Sequence, residues 1–513
     1  ISLTSMLFYL FGSSNFLARF WPALAGSALV WAPYFVRSKL GQNAAWMMAF
    51  GLALDPGLVA VSRLVGGPAL ALSFTVLALT LAVDRRWLLA GILAGLALLA
   101  GPALLTGLVV LLLAWLIWHG LPKTGIIARA DPLQQPPGFS RRIWPAGIAA
   151  LATVVLVATL AGSFPQGLGA WANTIPAYLS GWLDFQVPGL RLLVALLVYQ
   201  PLASIFGLVG LVIAGWRKSP PALFLSIWLL ATLAWLMVYP ARQVSDLVWL
   251  LVPLWGLAAQ VLAQVFNAST YRLTVYAHAA ALFILLALVW LNLQGLNSAV
   301  ESAAQWRWVV IIGALLLGGL ASLLVAMGWS MQAAREGLAI GLLAGLGVYV
   351  LANLFWVSQN RPNNLRELWY PAPTVASTQW FEETLVELAL AASGTAQHVE
   401  IVATVQPPSL RWVLRNQQAL EYQQVLSTTQ LPLIIITSLN DGEIHQVQAY
   451  SGQDFVWREY PAWQGVLPPN WTGWLTDRVM PIESESLVIW ARSDLFPLDL
   501  QLVPGEVNQE AVP

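Results

Sequence analysis

Cysteine is absent from the 513 residues, which removes disulfides, thiolate chemistry and Cys-ligated metals. Charge is scarce as well. Only 9% of residues are Asp, Glu, Lys or Arg, whereas a soluble globular domain carries about 25%, so a soluble chain of this length is excluded. The 24 basic and 24 acidic residues cancel, leaving no bulk positive field, and no nucleic acid partner is expected. The four histidines, His119, His278, His398 and His445, are scattered along the chain, so no metal ligand set is expected. There is no P-loop, no GxGxxG at a strand-to-helix junction and no HExxH. No internal repeat at solenoid spacing and no inverted repeat is evident, which weakens a transporter reading.

What is present is apolar. A mean hydropathy of +0.70 with 58% hydrophobic residues marks an integral membrane protein. Continuous apolar stretches predict twelve spans, near 15–37, 42–60, 66–84, 87–101, 103–119, 144–164, 191–216, 219–240, 244–266, 275–296, 306–329 and 336–358. Basic residues in the gaps alternate. One set of gaps holds Arg37, Lys39, Arg85, Arg86, Lys123, Arg129, Arg141, Arg142, Arg217, Lys218, Arg272 and Arg335, and the other holds only Arg19, Arg63, Arg191, Arg242 and Arg307. Short loops rich in Lys and Arg stay in the cytoplasm, so the richer side is predicted inside. Both ends of the chain then lie outside a plasma membrane. Many of the 27 Trp serve as interfacial anchors on this reading.

The organisation expected is a membrane domain over 1–360 and a soluble extracytoplasmic α/β domain over 361–513. Beyond Trp356, charged residues, Gln and Thr return. The pattern predicts helices at 376–393 and 407–420 and strands at 398–404, 431–437 and 485–491. WREYPAW (457–463) and NWTGWLTDR (470–478) suit either sugar binding or docking and core packing. Loop 120–143 reads as a tether on the inner side. Loop 165–190 carries Trp171, Tyr178, Trp182, Asp184 and Phe185, and a segment this long and aromatic is expected to be a substrate loop or an interfacial segment.

Ionisable residues at span ends are candidates for function because holding them there costs free energy. Asp55, followed by Pro56, lies eight residues before Arg63, slightly over two helical turns. Pro56 is expected to kink the helix. Asp55 reads either as a site carboxylate or as a buried partner of a neighbouring helix. In the turn VYPARQVSDLVW (238–249), Arg242 either pairs with Asp246 four residues on or offers its guanidinium fork to a phosphate.

The run LFYLFGSSNFLARFWPALAGSALVWAPYFVRSKLG (7–41) resembles the segment that follows the first external loop in GT-C membrane glycosyltransferases of the protein O-mannosyltransferase and aminoarabinose-transferase type. Gly12, Phe16, Arg19, Pro22, Ala23 and Gly26 carry the match. ALDPGLVAVSR (53–63) and YPARQVSDLVWLLVPLWGLAA (239–259) are similar to two further stretches of that family, with Asp55 replacing a small residue. The resemblance implies transfer of a sugar from a polyprenyl-phosphate-linked donor, outside the membrane, to a glycan, lipid or protein acceptor. It implies Arg63 and Arg242 at the donor phosphate, Asp55 and Asp184 as stand-ins for a catalytic carboxylate, and Trp171, Tyr178 and Trp182 in the substrate loop. A divalent cation is a candidate cofactor. The family's acidic first loop lies upstream of the matched segment. The expectation is therefore that a further helix and a loop with the main carboxylate precede Ile1, and that the chain as given is inactive. The competing readings are a non-catalytic membrane scaffold with an external binding domain, and a transporter or lipid flippase.

Overall fold

The computed structural model describes residues 2–120, 139–265, 271–297, 301–360, 364–369, 374–375, 377–423, 432–441, 449–463 and 465–496. Most of the inner loop expected as a tether therefore lies outside the described residues. The chain divides into two compact units: 1–371 with 463–480, and 372–462 with 481–513. The first boundary falls later than residue 360, and the segment 463–480 belongs to the membrane unit although the sequence around it does not.

The first unit is helical, and each of the twelve apolar stretches forms at least one helix. Among the described residues, however, six helices are long and apolar enough to cross a membrane, or eight if two bent pairs count as one span each. Breaks and short elements account for the shortfall from twelve. The stretch 42–60 divides into Gln42–Ala53 and Pro56–Ser62, bent by 56°, and 191–216 divides into Gly189–Tyr199 and Pro201–Arg217, bent by 105°. Gly67–Val83 and Trp87–Leu98 are apolar but short. The first stretch breaks after Asn15–Leu29 into the four-residue helices Ala32–Phe35 and Arg37–Leu40.

Val248–Val265 is the central helix: with the preceding turn, 78% of its apolar window is buried inside the protein. Its bulky side chains need small residues opposite them, the usual solution where helices pack in lipid. At Gly107, a Cβ would stand 2.1 Å from the Trp249 ring, so only glycine lets Ala103–Gly120 pass that close.

Among the described residues the second unit is built on a six-stranded sheet. Its strands are β1 (Thr374–Val375), β2 (Ile401–Ala403), β3 (Leu420–Tyr422), β4 (Ile434–Ser438), β5 (Tyr450–Pro461) and β6 (Ile482–Arg492), in the order β1-β5-β6-β4-β2-β3. β2 runs parallel to β3 and β4, and the other pairings are antiparallel. Alternate residues share one face of a strand, so Ile401 and Ala403, Ile434 and Ile436, Phe455 and Trp457, and Leu487 and Ile489 form one apolar layer. The helix Thr378–Ser393 packs on it through Phe381, Leu385 and Ala389, spaced one turn apart. The helix expected at 407–420 ends early. Pro408–Val413 gives way to a short 3-10 turn and then to β3.

Candidate functional site

The two broken spans meet at their breaks. Proline disfavours helical backbone in the residue before it, and Asp55 (φ −73°, ψ 119°) and Gln200 (φ −123°, ψ 50°) are accordingly non-helical. Asp55 then caps the next helix, its Oδ1 accepting from Leu58 N at 3.0 Å. Trp255 Nε1 of the central helix donates to Asp55 Oδ2 at 2.8 Å. The Gln200 amide reaches Asp55 Oδ1 at 3.3 Å; turned over, it accepts from Gly57 N instead. Asp55 is fully buried. A carboxylate held this way organises a helix break and presents no open oxygen to a substrate.

Arg63 follows the helix Pro56–Ser62, half-buried. Among the described residues its guanidinium has no hydrogen-bond or ion-pair partner. Helix Asn15–Leu29 fits closely beside it, since a Cβ on Gly26 would stand 2.1 Å from Ser62 Oγ.

The loop before Gly189–Tyr199 and the turn after Pro220–Val238 form a second locus. Tyr178 and Tyr239 stack at 4.8 Å, Trp182 stands edge-on to Tyr239 at 5.6 Å, and Trp235 Nε1 donates to Tyr178 Oη at 3.2 Å. The Tyr239 phenol donates to the Tyr178 carbonyl at 2.9 Å. Arg242 does not pair with Asp246. Its Nε donates to Val187 O at 2.9 Å, and its Nη1 donates to Met237 O at 3.2 Å and Tyr239 O at 2.8 Å. Asp246 instead accepts from Gln243 N at 2.9 Å, closing a capping box. Burial lowers the Arg242 pKa. This arginine ties loop to turn and joins Tyr178 and Trp182 in one cluster. Asp184 is exposed, beside the Gln186 amide. Trp171 lies apart from the cluster's contacts, its Nε1 donating to Leu98 O at 2.8 Å.

A third locus escaped the sequence reading. Arg478 and Glu367, 111 residues apart, pair at 3.2 Å with side chains only 4% and 1% exposed. Tyr199 Oη donates to the same Glu367 oxygen at 2.5 Å and accepts from Leu368 N at 3.1 Å. Arg478 also donates to Asn353 Oδ1 at 3.1 Å and to the carbonyls of Trp474 and Leu475. Burial alone would lower the Arg478 pKa, but Tyr199 and Glu367 outweigh it and hold the pKa above the ordinary arginine value. Three more contacts fix the segment 463–480 in the first unit. Arg191 donates to Gly465 O and stacks over Trp463 at 4.0 Å, and Asn297 Nδ2 donates to Asp477 Oδ2 at 2.7 Å. Only the aromatic richness of 470–478 hinted at this locus, because neither charge lies in an apolar stretch.

All three loci fall in or beside the sequence gaps poor in basic residues. The chain shares its fold with two crystal structures of ArnT from Cupriavidus metallidurans, one bound to undecaprenyl phosphate and one in the apo state. Each is 14% identical, with a TM-score of 0.51, and covers 96% of this chain and 87% of that chain. No protein-family model and no curated protein matches the sequence.

Proposed function

We propose that this protein is a membrane glycosyltransferase of the GT-C type, moving a sugar from a polyprenyl-phosphate-linked donor to a glycan, lipid or protein acceptor on the extracytoplasmic face of the plasma membrane. The observation that carries the reading is the fold shared along 96% of the chain with an ArnT structure that holds undecaprenyl phosphate. On this reading the chain crosses the membrane at all twelve apolar stretches, short and broken helices included, and the α/β sheet lies outside.

The chemistry requires a cation for the phosphate that leaves as an anion, and a base for the acceptor hydroxyl. Arg63 supplies the first, since its guanidinium is not committed elsewhere among the described residues. A divalent cation is the other source of positive charge that such a reaction admits. Arg242 supports the donor side by holding the loop in place, Trp182 offers an exposed ring for an acceptor, and Asp184 is the accessible carboxylate of the two named from the sequence.

Titration of the purified protein with undecaprenyl phosphate tests this. Arg63→Ala should weaken binding by about tenfold, the equivalent of one charge-assisted hydrogen bond. Arg63→Lys should restore it in part, because the charge remains and the fork is lost. Equal affinity in all three proteins would remove Arg63 from the site.

A further inference from the structure

Among the basic turns, a cavity of about 350 Å³ opens beside the C-terminal part of the central helix. Gln42 and Asn43 line it from the start of Gln42–Ala53, and Gln260 and Gln264 line it from Val248–Val265. An adjoining hollow of about 30 Å³ shares Gln260 and Gln264 and extends to Arg217 and Ser219. Four carboxamides in one cavity stand out in a chain whose helices are otherwise apolar. Among the described residues, the side-chain amides of Gln42 and Asn43 have no intramolecular partner. Arg217 is steered to the rim, its Nη1 donating to Gln264 Oε1 at 2.7 Å.

The walls select the ligand. Among the described residues no carboxylate lines either hollow, while Lys218 follows Arg217 in the chain and Lys39 lies two residues before Gly41. This composition favours an anion over a cation, and the amide N–H groups supply neutral donors for its oxygens. Leu40, Ala44 and Ala263 make the rest of the lining apolar, which suits an anion that continues into hydrocarbon. Basic pockets between helices at the cytoplasmic interface recognise lipid headgroups in this way. We propose that this cavity is a headgroup site for an anionic phospholipid, separate from any polyprenyl-phosphate site. A lipid seated there bridges the ends of Gln42–Ala53, Pro201–Arg217 and Val248–Val265.

Native mass spectrometry of the whole chain in detergent tests the assignment, with phosphatidylglycerol, phosphatidylcholine and glycerol 3-phosphate as probes. Phosphatidylglycerol should be retained in preference to the other two. Arg217→Ala and the double variant Gln260→Leu/Gln264→Leu should each weaken phosphatidylglycerol binding by about tenfold, with polyprenyl-phosphate binding unchanged. If the double variant fails to fold, the decision rests on Arg217→Ala together with Asn43→Ala, both at exposed positions. Unchanged phosphatidylglycerol binding in the folded variants, or equal binding of phosphatidylcholine, would overturn the proposal. Glycerol 3-phosphate bound as tightly as the lipid would overturn it too, by making the site one for a soluble phosphate.

Discussion

Arg478 is a residue in a conformation that arginine does not favour, kept there by what its side chain holds. It follows the helix Trp471–Asp477 with φ 58°, the left-handed region where glycine usually ends a helix. A non-glycine residue there costs on the order of 1 kcal/mol, and the buried pair with Glu367 offsets it only while both partners remain. Removing one partner of a buried pair costs about 3–5 kcal/mol because the other charge is stranded. Arg478→Ala should therefore lower the melting temperature clearly, whereas Arg478→Ala combined with Glu367→Gln should recover part of the loss. An unchanged melting temperature in the single variant would show that the pair adds nothing. None of this was legible in the sequence. The partners lie far apart in the chain, and a charge pair has no periodicity. Asp55 was legible as a candidate but not in its role, since a carboxylate before a proline reads alike whether it caps a helix or faces a ligand.

At the scale of elements, two spans break by the same device, a polar residue followed by proline inside an apolar run. The break at Asp55-Pro56 was expected from Pro56. The break at Gln200-Pro201 was not, because continuous apolarity from 191 to 216 suggested one straight helix, and a 105° bend leaves no mark on hydropathy. Hydropathy records the length of apolar sequence and not its direction, so it counts twelve stretches where, among the described residues, six helices, or eight with the bent pairs, have the length to cross. In the α/β unit, β2, β4 and β6 and the helix at 378–393 were legible from alternation and from one-turn spacing. The long strand β5 was not, its first half running through Ser451, Gly452, Gln453 and Asp454 without an apolar residue. The break at residue 55 makes one further demand. A Cβ on Gly57 would stand 2.2 Å from the Trp369 ring and 2.6 Å from Gln200 Nε2, with Trp369 fully buried. Gly57→Ala should thus cost about 1–3 kcal/mol through overpacking, and Trp369→Leu in the same chain should relieve it. Additive losses in the double variant, read from thermal unfolding, would mean that the two residues do not press on each other.

For the whole molecule, the proposed reading puts the three polar loci, which lie in or beside the gaps poor in basic residues, on one extracytoplasmic face. The charge alternation could be read from the sequence because orientation depends on counts, not on geometry. The proposed reaction depends on placed groups, and their placement has no signature in charge counts. The most direct test is a transfer assay in right-side-out membrane vesicles that contain the product of the whole gene, supplied with radiolabelled polyprenyl-phosphate sugars. The expected result is that label leaves the lipid donor, free polyprenyl phosphate appears, and the labelled product is destroyed by membrane-impermeant periodate added outside. Donors that all stay intact while the folded protein is present, or a product protected from the periodate, would contradict sugar transfer on the extracytoplasmic face.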